Sequence, residues 1–105
     1  TTMSLLASAK PAAAMLADIY TVPASRRAVI NINCCNVGSS PSKVRLAISA
    51  DPSPADAQWI EWDTVLDPSG VLERTGIALK AGQALFARTD IGDVAINVWG
   101  IEELA

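Results

Sequence analysis

Glu61 and Asp63 stand two residues apart in Trp59-Ile60-Glu61-Trp62-Asp63, and on an extended strand that spacing puts two carboxylates on one face, roughly 7 Å apart. Glycosidases separate an acid and a base by a similar distance. Any strand with alternating acidic residues has it too, so the expected role of this pair is a solvated strand face. The chain contains no histidine, which removes Ser-His-Asp and Cys-His arrangements and the usual imidazole base. A non-enzymatic protein is expected. Cys34 and Cys35 are neighbours, and on a strand they point to opposite faces and cannot readily bridge. They are expected to be small apolar fillers in a protein made in a reducing cytoplasm. Zinc would call for four ligands from spaced Cys and His pairs. Asp51, Asp56, Asp63 and Asp67 do not follow the order of a calcium loop. The glycines occur singly and form neither a phosphate loop nor a dinucleotide fingerprint. No metal and no cofactor are expected.

Trp59, Trp62 and Trp99 suggest a different chemistry, the stacking of indole rings on sugars. Three residues apart, Trp59 and Trp62 fall on opposite faces of a regular strand and cannot line one platform. One is expected in the core and the other at an edge or a subunit contact.

These side chains must be positioned by a small scaffold. With 105 residues and a mass of 11.0 kDa the chain has the size of one domain. Turn residues recur at Pro11, Pro23, Gly38, Pro52, Pro68, Gly82 and Gly92, leaving strand-sized intervals at 4–9, 15–22, 28–36, 44–49, 59–66, 71–79, 84–89 and 94–101. About eight short strands with turns every ten residues or so predict an all-β fold, a single antiparallel β-sandwich of jelly-roll-like or Ig-like type. Residues 1–11 are expected to be an N-terminal arm or edge segment and 12–105 the sandwich domain. Alternation assigns Ile30, Ile32 and Cys34 to one face of the third interval and Val44, Leu46 and Ile48 to one face of the fourth. Arg26 and Arg27, the only adjacent basic pair, are expected in a solvated turn, and residues 102–105 have no clear structural signal.

The formal charge is −3, with basic residues scattered along the chain, so no stripe for nucleic-acid phosphates is expected. No apolar run reaches the ~20 residues that span a bilayer, and residues 3–17 do not make a secretory signal because Lys10 and Pro11 interrupt them. A soluble protein is expected. Half the residues are apolar and mean hydropathy is +0.30, a high value for a small domain, which predicts burial of apolar surface between subunits.

The order Lys10-Pro11-Ala12-Ala13, Asp18-Ile19-Tyr20-Thr21-Val22-Pro23-Ala24, Cys35-Asn36-Val37-Gly38 and Val44-Arg45-Leu46-Ala47-Ile48-Ser49 resembles small virion proteins of tailed bacteriophages. In those chains a (D/E)-L-Y-T-V-P segment leads into a strand ending in C-N-x-G/S, and a strand of F-R-V-A-V type follows. The resemblance continues through Trp59 to Asp63, Gly76-Ile77-Ala78-Leu79-Lys80-Ala81-Gly82-Gln83 and Ile96-Asn97-Val98-Trp99-Gly100-Ile101. It implies a virion structural protein acting by contact with other copies and other virion proteins, with no nucleic acid or membrane as partner. A tail-fibre, baseplate or tail-adaptor component is the first reading and a capsid decoration (cement) protein the alternative. A carbohydrate-binding receptor module, with a surface glycan as ligand, is the alternative from another class. Within the resemblance, Asn36 and Gly38 suit a turn of the kind that often requires positive φ. Trp59, Val65, Trp99 and Ile101 are the expected interface residues, each on the second face of a strand whose first face is core.

Overall fold

Ile30, Ile32 and Cys34 are fully buried while Val29, between the buried Ala28 and Ile30, is 47% exposed. That contrast is repeated along the strands of the computed structural model, which describes residues 2–105. The elements are β1 (Ser4–Ala9), β2 (Ala17–Thr21), β3 (Arg26–Asn36), β4 (Ser42–Ser49), β5 (Trp59–Leu66), β6 (Val71–Lys80), β7 (Ala84–Thr89) and β8 (Val94–Leu104), with one 3₁₀ turn at Asp56–Gln58 before β5. Thr1, the first residue of the expected arm, lies outside the described residues. β1 makes the rest of that segment an edge strand, paired with β8.

The first sheet has the order β1-β8-β3-β6 and the second β2-β7-β4-β5, and every pairing is antiparallel. Within these orders β1 meets β8, β2 meets β7, β3 meets β6 and β4 meets β5. Such nesting is one long antiparallel ribbon rolled into two sheets, so the sandwich is a jelly roll and not the Ig-like alternative. Ile30, Ile32, Ile96 and Val98 from the first sheet pack against Val44, Leu46 and Leu85 from the second to form the core.

Two strands run further than the sequence pattern suggests, for the same reason. Arg26 and Arg27 open β3 instead of lying in a turn, and residues 102–104 extend β8 alongside, with Glu103 opposite Arg27 and Glu102 diagonal to Arg26. Arg27 Nε reaches Glu103 Oε1 at 3.1 Å and Arg26 Nε lies 3.7 Å from Glu102 Oε1. Opposite charges facing each other across a ladder favour its extension. Ser42 joins β4 because its hydroxyl and the Lys43 amide both donate to Asp90 Oδ1, each at 2.9 Å. β2 is shorter than the expected interval, since Ala14 turns at φ 58 and its amide donates to the Thr89 carbonyl at 2.7 Å.

At the end of the sandwich away from the arginines, Asn36 is 1% exposed. Its amide donates to the carbonyls of Ser40 at 2.8 Å and Leu66 at 2.9 Å, and its Oδ1 accepts from the Gly38 amide at 2.9 Å. Asn36 therefore ties the β3–β4 and β5–β6 connections together. Gly38 is needed for space, not for positive φ: a Cβ there would meet the Asp93 side chain, and the residue is not in the left-handed region.

Each edge strand, β1, β2, β5 and β6, carries a register shift against its neighbour. Bulges twist an edge and interrupt its hydrogen-bonding row, which discourages pairing with another chain. On β6 the bulge falls at Gly76, φ 69, whose amide is taken up by Asn31 Oδ1 at 3.1 Å.

Candidate functional site

β5 is the most irregular edge. Val44, Leu46 and Ala47 of β4 pair with Thr64, Glu61 and Trp59, so β5 holds one extra residue between Val44 and Leu46 and another between Leu46 and Ala47. Asp63 takes φ 52 at the first of these bulges. Each extra residue reverses which face the following side chains take. Two expectations fall with that reversal. Glu61 and Asp63 do not share a face: Glu61, 8% exposed, turns inward to pair with Arg74 of β6 and accepts from the Thr64 hydroxyl at 2.6 Å, whereas Asp63 turns outward to Arg45. Trp59 and Trp62 do share a face, with ring centroids 5.1 Å apart and planes at 76°. A catalytic carboxylate pair is absent from this strand, and an aromatic pair stands in its place.

The outer face of the second sheet is organised around Arg45. Its guanidinium makes two hydrogen bonds to Asp63, 2.6 and 3.1 Å long, and its Cζ lies 3.7 Å from the centroid of the Trp62 ring. A planar cation on an indole face is attracted by the ring quadrupole. The Arg45 hydrogen bond, helped by the nearby charges of Lys43 and Arg88, holds the Asp63 carboxyl below its ordinary pKa. Trp59 leans on Ala47, Ala84 and Phe86, a small cluster outside the main core. Trp62 remains 56% exposed. Between the two rings and Asp56 is a cleft of about 410 Å³.

The outer face of the first sheet has a different character. Val29 of β3 faces Ile101 of β8 on one side and Ala78 of β6 on the other, and Asn31 faces Trp99, which in turn faces Leu5 of β1. A groove of about 690 Å³ runs over Val29, Ala78 and Ile101, rimmed by Arg27, Lys80 and Glu103. Farther along, the Ser8 hydroxyl donates to Asn97 at 2.5 Å.

The four expected interface residues thus separate into two pairs. Trp99 and Ile101 lie on the first sheet's outer face, and Trp59 and Val65 on the β5 edge of the second. Sequence reasoning missed Val29 and Ala78, although alternation already set Val29 opposite the core face of β3. It also missed Arg45 and Trp62 as partners, because their meeting depends on a bulge.

Cys34 and Cys35 point to opposite faces, as the alternation requires, and both are free thiols. Burial first, and the nearby Glu61 charge second, push the Cys34 pKa up to about 12, so this thiol stays protonated and is a poor nucleophile. Among the described residues no group of three or more His, Cys, Asp or Glu side chains is placed to hold a metal ion. Comparison with known proteins finds no matching family model, no matching curated protein and no matching solved structure.

Proposed function

We propose that this chain is a non-enzymatic structural component of a tailed-phage particle, a tail-fibre, baseplate or tail-adaptor protein that works by contact with further copies of itself and with other virion proteins. The observation that carries the reading is the apolar strip Ala78–Val29–Ile101 across β6, β3 and β8, with Trp99 of β8 and Leu5 of β1 beside it. Val29 and Leu5 are both exposed although the inward faces of their strands already supply core. A contiguous apolar strip rimmed by charges has the composition of a protein contact. The bulged edges support the same mode, since they direct association to faces and away from strand addition. The phage context is supported by the sequence motifs from Asp18 to Pro23 and from Cys35 to Gly38.

Sedimentation velocity over a micromolar concentration series, together with cryo-electron microscopy of particles carrying the tagged chain, tests this function. The expected result is a discrete oligomer and density at the tail. Density on the capsid shell would move the protein to the decoration class. A monomer at every concentration that is absent from particles overturns the proposal.

A further inference from the structure

The corner formed by Trp59 and Trp62 lies on the opposite sheet from the contact strip and is not used by it. We propose that this corner binds an uncharged pyranose ring, with Trp62 as floor, Trp59 as wall and the Asp56 carboxylate accepting hydrogen bonds from sugar hydroxyls.

Four observations carry this assignment. The two indole planes stand at 76° with centroids 5.1 Å apart, so their faces bound a corner and not a flat sheet. Arg45 covers one face of Trp62, yet the residue stays 56% exposed, so ring surface remains open to solvent. Both rings are held from behind. Trp59 rests on Ala47, Ala84 and Phe86, and Trp62 rests on a guanidinium fixed by two bonds to Asp63. A prearranged aromatic surface loses little freedom on binding. Finally, the cleft of about 410 Å³ between the rings includes Asp56 in its lining, which fits small ligand sites made of aromatic walls and a few polar groups.

Charge selects the ligand class. The Arg45 guanidinium, 3.7 Å from the Trp62 centroid, already occupies one face of that ring and closes it to a ligand cation. Asp56 opposes an anion at the mouth. A pyranose carries no charge, presents a face of weakly positive C–H groups to an aromatic ring and offers hydroxyl donors to a carboxylate.

The test is a titration of tryptophan fluorescence with neutral methyl glycosides of glucose, galactose, mannose and N-acetylglucosamine, with choline and glucuronate as the charged arms. At least one neutral glycoside is expected to give a saturable change, weakened about tenfold or more by Trp62→Ala, as for a central aromatic contact. Asp56→Asn is expected to weaken binding less, and Val29→Asp to leave it unchanged. Circular dichroism of each variant verifies the fold. A silent response to every neutral glycoside, a response retained in Trp62→Ala, or a preference for choline or glucuronate overturns the proposal. None of these outcomes depends on oligomer formation or on density in the particle, so the two proposals fail separately.

Discussion

The Tyr20 hydroxyl donates a 2.6 Å hydrogen bond to Glu102 Oε2, joining β2 of the second sheet to β8 of the first. Burial, and then this bond, raise the Tyr20 pKa above its ordinary 10.0. A raised folded-state pKa means that the phenol proton is held more tightly in the folded chain. Its contribution is fully present below pH 10 and is lost as the pH climbs toward the folded value. Tyr20→Phe is therefore expected to cost about 1–2 kcal/mol at pH 7 and to flatten the loss of stability above pH 10. Urea unfolding of both proteins between pH 7 and 11 checks the sign.

Asn36 satisfies two carbonyls and one amide from separate connections. Asn36→Ala leaves those groups without their partner in a buried place, and is expected to lower stability by about 3 kcal/mol. Asn36→Asp, which keeps the acceptor for Gly38 but loses both donations, is expected to be no milder. Equilibrium denaturation gives both values.

Glu61 and Arg74 pair across the open side of the sandwich, from the edge of one sheet to the edge of the other. Arg74 is nearly half exposed, so solvent screens the pair. Arg74→Ala strands a buried carboxylate and is expected to cost about 1–3 kcal/mol. Glu61→Gln in the same chain is expected to recover part of that loss. A double-mutant cycle in urea measures the coupling.

Val29→Asp and Ile101→Asp, substituted singly, change the strip without touching the core. Each is expected to shift the sedimentation profile toward monomer while moving the thermal midpoint by only a few degrees. A fall in stability equal to that of a core substitution would mean that the strip belongs to the fold and not to a contact.

Much of the scaffold was legible because two-residue alternation is a local property: Ile30, Ile32 and Cys34 revealed the core face of β3 without reference to any partner. The extension of β3 and β8 was hidden, because Arg27 and Glu103 meet across 76 positions of chain. The aromatic corner was hidden for a subtler reason. The β6 bulge is marked by a glycine at position 76, but of the two irregularities on β5 the first is made by Asp63, whose left-handed backbone nothing in the local sequence announces, and the second falls at Ile60, which carries no glycine either. The bulge at Asp63 separated Glu61 from Asp63, and the second irregularity, at Ile60, brought Trp59 to the face of Trp62.

The nested pairing of strands also sets a timetable. β8 is the last strand in the chain, yet it is an interior strand of the first sheet, with β1 on one side and β3 on the other. During synthesis β1 has no first-sheet neighbour until β8 leaves the ribosome, and the Ser8–Asn97 bond closes a separation of 89 residues. The second sheet needs only β2, β4, β5 and β7 and can assemble sooner. Folding dominated by such distant pairings is slow, on the order of milliseconds to seconds, and the first sheet's outer strip exists only once translation has passed β8. Partners that dock there therefore require β8 to be in place.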